Sequence, residues 1–514
     1  MAVLNSFMTW IFKSRLGQIE NFKQNPISVQ ETIFKELIEA GKNTEFGIAH
    51  GFADIRSYAD YASKVPIRNY DKFKPFIDKA MEGSDNVIWN REIEWFAKSS
   101  GTTSTRSKYI PVTNESLEEC HYKGGKDMVA LYMANYPDSR LFAGKTLTIG
   151  GTLENNPLNP LGTARAGDIS AVIMENLPFW AYFVRTPSKE TALMGEWEAK
   201  IEKMARETMD EDVTCMAGVP TWTIVLLQKV LELKNAKNIL EVWPNLEIFF
   251  HGAVAFGPYR SLFKELIPSE KMRYMETYNA SEGFFGIQDQ KDSDELLLLL
   301  DYGIFYEFIS MEEWESENPE VIPLAQVEVD KNYALVITTN GGLWRYKIGD
   351  TVRFTSTSPY RFRISGRTKH FINAFGEEVI VENAEKAIQF AAEQTNATIA
   401  NFTAAPVYFD GSGSKGAHEW IIEFQKRPSD PKKFDQLLDQ HLREINSDYD
   451  AKRHKGLALV EPIIHHAPHG IFENWMRKRG KLGGQHKVPR LSNSREYLDE
   501  ILGLLQKSEP SDLV

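Results

Sequence analysis

The stretch Ser99 to Lys108, SSGTTSTRSK, gathers hydroxyl side chains around Gly101 and closes on two cations, Arg106 and Lys108. A loop that grips phosphates needs converging backbone N–H groups, donating hydroxyls and a positive charge, and this stretch offers all three. No GxxxxGK[ST] pattern runs through it, and the following KYIPVT reads as a strand rather than a helix, so a strand–loop–helix nucleotide cradle is disfavoured. A phosphate loop and a polar turn between two strands both remain open. In ETYNASEGFFGIQ, Glu282 projects from a small-residue turn after Tyr278; its carboxylate suits a magnesium ion shared with phosphate oxygens, or simply solvent. In GGLWRYKIGDTVRF, Asp350 follows a glycine at a strand end, where it could accept both ribose hydroxyls or sit in an ordinary hairpin.

The elements that must position these groups change character along the chain. Residues 18 to 90 read as helices joined by turns, with VPIRNYDKFKPFIDKAMEG a turn followed by a helix. From Glu94, strands such as IEWFAK, KTLTIGG, DVTCMAGV, LEIFFHGAV and MRYMETY alternate with helical stretches, a pattern that predicts an α/β sheet with helical cover. From Glu295 to Arg363 the signal is strand-rich and predicts hairpins or a small barrel-like part. Beyond Ser365 to Phe375 the chain reads as a smaller α+β domain. The expected division is an N-terminal domain over residues 1–368 and a C-terminal domain over 369–514.

Composition narrows the function classes. The 514 residues carry 59 basic and 71 acidic side chains, a net charge of −12, which argues against general nucleic-acid binding. Two cysteines, Cys120 and Cys215, form no CxxC pair, so a reducing cytoplasm is expected. The N-terminal MAVLNSFMTWIFKSRLGQIENF reads as an amphipathic surface helix, and no apolar run approaches the roughly 20 residues that cross a bilayer. A soluble protein without a membrane or nucleic-acid partner is expected; its oligomeric state is not legible. His465, His466 and His469 in IIHHAPHG bring neither HExxH nor a neighbouring carboxylate and read as a strand-end turn. No GxSxG elbow is present, and neither cysteine sits in a nucleophile context.

Taken together and in order, SSGTTSTRSK, TYNASEGFFGI, GLWRYKIGDTV and the C-terminal GGQHKVPR resemble the signatures of the acyl-acid amido synthetases that conjugate auxin or jasmonate to amino acids in plants. These belong to the acyl-adenylate-forming enzymes. The resemblance runs from about residue 20 to beyond 490 and implies a large adenylation domain with a mobile C-terminal domain. It implies ATP and Mg²⁺ as cofactors, and a small carboxylic acid and an amine, expected to be an amino acid, as substrates. Ser99, Ser100, Gly101, Thr102 and Thr103 would wrap the phosphates, with Lys108 supporting the loop. Gly252, Ala253 and Val254 would lie near adenine, Tyr278 would stack on it, and Asn279, Ala280 and Ser281 would shape its pocket. Glu282 would bind magnesium, Asp350 the ribose, and Arg367 the ribose or phosphate.

Lys487 matches the lysine that such enzymes swing in to meet the charge developing on the bridging oxygens. The helix GVPTWTIVLLQKV would wall the acyl pocket through Val219, Thr221, Trp222 and Val225, although core packing explains the same positions. The chain departs from the family at Ser104 and Thr105, where a glycine is common, and in its hinge SGRTKHFINAFGEEV. An acyl-CoA ligase, or a non-catalytic protein on the same scaffold, are the alternatives.

Overall fold

The Asn69 side chain accepts a hydrogen bond from the Lys72 backbone N–H and starts the helix Tyr70–Met81, whose Tyr70, Phe73, Ile77 and Ala80 recur at helical spacing and are buried. Ser57 and Asp60 likewise form a capping box on the helix Tyr58–Lys64. In this computed structural model the structure describes residues 14–100, 107–314, 316, 318–368, 371–409, 415–456, 458–478 and 489–508, with no side-chain description at 100, 179–180, 455 and 506–508. Gly101, Thr102, Thr103 and Lys487 lie outside the described residues, as does the Ser100 side chain. Residues 14–24 form an amphipathic helix, with Ile19 and Phe22 buried in the main core and Gln18, Glu20, Asn21 and Gln24 exposed. Arg15 Nε donates to Asp127 Oδ1 at 2.7 Å.

The central sheet holds twelve strands among the described residues. One half is parallel: Arg185–Thr186, Lys145–Thr148, Val213–Gly218, Ile248–His251 and Arg273–Ala280, in that spatial order. Their connecting helices include Trp197–Thr208 and Pro220–Lys234, the helices expected from the apolar periodicity. The other half is antiparallel and continues through Gly283–Ile287, Leu296–Leu298, Tyr360–Arg367, Tyr346–Thr357, Asn332–Thr339, Ile304–Ser310 and Val321–Pro323. The strand-rich stretch expected as hairpins or a small barrel-like part thus forms the antiparallel half of the same sheet. Leu296 pairs with Phe362 and Leu297 with Arg361, joining it to the strands that lead back to the parallel half.

A four-stranded sheet runs Ser107–Val112, Trp95–Ser100, Arg165–Asp168, Leu153–Asn155, so strands on either side of residues 101–106 are neighbours. The main core binds the helical start of the chain to these sheets, with Phe46, Phe52 and Trp344 in ring contact.

The chain divides into two compact units. The larger holds the residues up to Ser99, Lys108–Ala253 and Leu266–Thr368; the smaller holds Ser107, Val254–Glu265 and the described residues beyond Thr368. In the smaller unit, Thr398–Val407 and Ala417–Lys426 pair antiparallel and Ile463–Ala467 adds a parallel strand. Helices Val381–Gln394 and Pro431–Ile445 supply Ile388, Phe434 and Leu438 to a core with Phe402, Trp420 and Phe424. Tyr259, from the Val254–Glu265 segment, donates its hydroxyl to the Ala374 carbonyl within this unit. No described helix is long and apolar enough to cross a membrane.

Candidate active site at the carboxyl edge of the sheet

Parallel strands present their carboxyl ends on one side, and in open α/β sheets that edge is where ligands bind. Here it carries Gly150 and Gly151 after Lys145–Thr148, Val219 ahead of the helix Pro220–Lys234, Gly252 and Ala253 after Ile248–His251, and the Ser281–Glu282 turn after Arg273–Ala280. The backbone is tight at this edge. A Cβ on Gly252 would fall 2.5 Å from the Thr277 carbonyl oxygen, so only glycine lets the two strands close up. Ala253 follows at φ +69°, a left-handed conformation costing a side chain about 1–2 kcal/mol. Strain of this kind gathers at ligand sites.

Asp350 is held from two directions. Strand pairing sets it opposite Arg367, whose Nε donates to Asp350 Oδ1 at 2.9 Å. Tyr278 donates its hydroxyl to Oδ2 at 2.5 Å. The tyrosine ring packs against Phe285 at 4.9 Å and Phe362 at 6.1 Å between centroids. Burial, reinforced by the negative charge of Asp350, keeps the Tyr278 hydroxyl well above its ordinary pKa and therefore a proton donor.

Glu282 is half-buried, and burial pushes its carboxyl up to about 7. Lys108 and Arg367 pull it back toward the ionised form, while Asp350 opposes them. Lys108 is itself buried, with Nζ 5.8 Å from the Tyr70 ring centroid, and the Tyr70 hydroxyl accepts the Tyr109 backbone N–H at 2.9 Å. Buried Tyr346 feels Glu282, Tyr70, Arg367 and Asp350 together, and its hydroxyl has no hydrogen-bond partner among the described residues. Lys108 from the first motif, Tyr278 and Glu282 from the second, Asp350 from the third and Arg367 from the hinge segment thus converge on one electrostatic cluster. Such a set can hold a polyhydroxylated, phosphorylated ligand: carboxylates face hydroxyls or a cation, and cations face phosphate.

The remaining candidates divide. Ser99 is half-buried near the end of Trp95–Ser100. Ala280 ends its strand, Ser281 lies in the following turn, and the buried Asn279 Oδ1 has no hydrogen-bond partner among the described residues. Val254 falls in the segment that belongs to the smaller unit, unlike Gly252 and Ala253. Around the expected acyl wall, Val219 and Val225 are half-buried, whereas Thr221 and Trp222 are buried. Trp222 stacks on Trp197 with centroids 4.1 Å apart and planes 7° from parallel.

Tyr70 and His121 were not legible as site neighbours. His121 lies on the π-helical turn Leu117–Tyr122, faces Asn279, and is pushed by burial down to about 4, so it is neutral. No motif marks either residue; contacts invisible in sequence bring this turn and the following helix onto the sheet, the Phe284 N–H donating to Cys120 Sγ at 3.1 Å and Gly124 lying close against the Phe284 ring. Burial pushes both Cys120 and Cys215 up to about 12, which removes thiolate chemistry. The three histidines need a correction. His465 and His466 lie within the strand Ile463–Ala467 rather than in a turn, and each has a carboxylate from another element: Glu419 at 2.7 Å and Asp435 at 2.7 Å. His469 lies 4.0 Å from Glu423. These are separate pairs, and no described group of three such side chains could hold a metal ion.

The GH3 family N-terminal domain matches residues 15–272, the central domain 297–367 and the C-terminal domain 382–496. Indole-3-acetic acid-amido synthetase GH3.3 of Arabidopsis thaliana is 22% identical over 92% of this chain and 90% of its own length. The 4-substituted benzoates-glutamate ligase GH3.12 of the same plant is 22% identical over 94% and 95%. The solved structure of the acyl acid amido synthetase AtGH3.15 in complex with 2,4-DB superposes with a TM-score of 0.61 at 18% identity, covering 96% of each chain. With the family's three domains matched in order from residue 15 to residue 496, the chain belongs to the GH3 family.

Proposed function

We propose that the protein is an ATP-dependent acyl-acid amido synthetase that activates a small carboxylic acid as its acyl-adenylate and passes the acyl group to an amine, an amino acid in the reading we favour. The observation that carries this is the convergence of Lys108, Tyr278, Glu282, Asp350 and Arg367 at the carboxyl edge of the parallel strands. In the first step a carboxylate oxygen attacks the α-phosphorus, a new P–O bond forms and pyrophosphate leaves. In the second the amine attacks the acyl carbon, the C–O bond to AMP breaks, and the amine loses a proton. Adenylation is needed because a carboxylate is a poor acyl donor until its oxygen becomes part of a phosphate leaving group.

In this reading Asp350 accepts the ribose hydroxyls while Arg367 and Tyr278 hold its carboxylate in place. Ser99, Ser100, Gly101, Thr102 and Thr103 take the phosphates with Lys108 behind them. Gly252, Ala253, Val254, Asn279, Ala280 and Ser281 border the adenine, on which the Tyr278 ring stacks; Lys487 offsets the charge of the transition state. Glu282 suits magnesium because that ion takes one or two carboxylates together with substrate phosphates, and a bound cation would favour the ionised carboxyl. When bound, the ion neutralises phosphate charge. Val219, Thr221, Trp222 and Val225 wall the acyl pocket, Trp222 as a ring fixed by Trp197. The C-terminal domain, residues 369–514, moves between the two steps. Two buried, unreactive thiols and a charge of −12 fit a cytoplasmic enzyme of small molecules.

A panel of carboxylic acids with ATP and hydroxylamine traps any acyl-adenylate as its hydroxamate. Amino acids and coenzyme A are then offered in place of hydroxylamine. Amide formation is the expected outcome; thioester formation without amide would make the protein an acyl-CoA ligase. Acid-dependent pyrophosphate release that survives Lys487→Ala would remove that lysine from adenylation.

A further inference from the structure

Four buried or half-buried arginines of the larger unit pair with carboxylates, Arg15 with Asp127 and Asp301, Arg345 with Glu307, Arg361 with Asp289 and Arg367 with Asp350, while half-buried Arg68 donates instead to His50 Nε2 and the Pro66 carbonyl. Pairing is the rule for charge removed from water. Arg185 departs from it. It is half-buried on the short strand Arg185–Thr186, and its Nε donates to Thr148 Oγ1 at 3.3 Å. Among the described residues no carboxylate lies within ion-pair reach, and neither Nη group has a partner. Burial draws the guanidinium down to about 10, opposed only by Tyr182.

A second cation lies at the same strand end. Lys200 is fully buried on the helix Trp197–Thr208, with its Nζ donating to the Gly150 carbonyl at 2.5 Å and the Gly151 carbonyl at 3.0 Å. Burial lowers it to about 8, and Asp168 is the one acid acting on it. Thr148 ends the strand Lys145–Thr148 and Gly150–Gly151 leave it, so both cations gather at one carboxyl end on the ligand edge of the sheet. The strand Val213–Gly218, which leads to Val219, is two steps across the sheet from Arg185, about 10 Å. In a chain of net charge −12, two cations without a matched carboxylate at that edge are an exception that needs a counter-charge.

We propose that Arg185, backed by the Lys200-clamped turn Gly150–Gly151, receives a carboxylate group of a small substrate. Its two Nη groups present the planar fork that binds a carboxylate through two parallel hydrogen bonds. This rests on the amido synthetase reading for the origin of that carboxylate. An amino-acid acceptor brings one beside its amine; a dicarboxylic acid brings a second one beside the group that is activated. The chemistry of recognition is the same for both.

The test compares the wild-type enzyme with Arg185→Gln and Arg185→Lys, using glycine against glycinamide as acceptors and succinate against its monoamide as acids. If the acceptor supplies the carboxylate, Arg185→Gln raises the KM for glycine about 10- to 100-fold, leaves glycinamide and acid-dependent pyrophosphate release unchanged, and is partly rescued by lysine. If the acid supplies it, the same contrast moves to succinate against its monoamide in pyrophosphate release. Equal effects on charged and neutral partners, or none, overturn the proposal. Melting shifts with the same four compounds at matched ionic strength read the contrast without turnover. Should no acid release pyrophosphate from wild-type enzyme, the functional reading fails, while loss of a carboxylate-specific melting shift in Arg185→Gln still supports the receptor and an unchanged shift sinks it.

Discussion

Arg345 and Glu307 are buried together and complete each other: two guanidinium nitrogens reach the carboxylate, at 3.0 and 2.8 Å, and Tyr58 donates its hydroxyl to Glu307 at 2.9 Å. The arginine's remaining donors go to the carbonyls of Ala62 and Val65. Elsewhere in the same unit, Glu282 is pushed up to about 7, Tyr346 keeps a buried hydroxyl without a partner among the described residues, and Arg185 is drawn down to about 10. Both regions bury charge in one protein, yet only the first is self-sufficient. The Arg345 cluster ties the first helices to the antiparallel strands, and its matched charges serve the fold. At the carboxyl edge, Arg185 has no carboxylate among the described residues and Glu282 is held back from ionising, which is where a ligand of opposite charge would restore the balance.

Breaking the self-sufficient cluster should have the largest effect on stability. Glu307→Ala leaves the Arg345 guanidinium buried without its counter-charge and should cost about 3–5 kcal/mol, read as a shift in the urea midpoint. Asp350→Asn sharpens the contrast from the other side. It preserves the side-chain shape, and on the proposed reading, in which this carboxylate orients the nucleotide, it should lower acid-dependent pyrophosphate release about 10²- to 10³-fold. A mutant that keeps full activity would remove Asp350 from the site.

Gly252→Ala places a Cβ against the Thr277 carbonyl and should destabilise by about 1–3 kcal/mol, with the KM for ATP rising alongside. Loss of stability with an unchanged KM would assign this glycine to packing alone. The smallest effect concerns Glu282. Burial holds its folded-state pKa at about 7, above the ordinary glutamate value of 4.5, so the folded protein binds the extra proton between these values and wild-type stability falls as pH rises from about 4.5 to 7. In metal-free buffer Glu282→Gln should remove that slope; an identical slope in both proteins would show that the carboxyl ionises freely.

Much of this contrast was absent from the sequence. Alternating strands and helices marked the parallel half, because buried parallel strands such as Ile248–His251 read as short apolar runs between amphipathic helices. Continuity of that half with the strands from Leu296 to Arg367 depends on which edges pair, and periodicity does not encode pairing partners. Glu282 and Asp350 were visible as motif residues. Their surroundings were not, since the Tyr278–Asp350 bond joins residues 72 positions apart and the Asp350–Arg367 pair depends on a strand register interrupted by a bulge. Arg185 illustrates the same limit: an arginine in FVRTP is unremarkable until burial and the lack of an acid around it are seen together. The histidines erred in the opposite direction, because their carboxylates arrive from Ala417–Lys426 and Pro431–Ile445 rather than from adjacent sequence.

ATP–pyrophosphate exchange decides whether the carboxyl edge activates carboxylic acids through AMP. Labelled pyrophosphate is expected to enter ATP only with a carboxylic acid present, without any amine, and exchange should collapse in Asp350→Asn. Exchange independent of acid, or ATP cleaved to ADP and phosphate across a broad acid panel, would contradict activation through AMP.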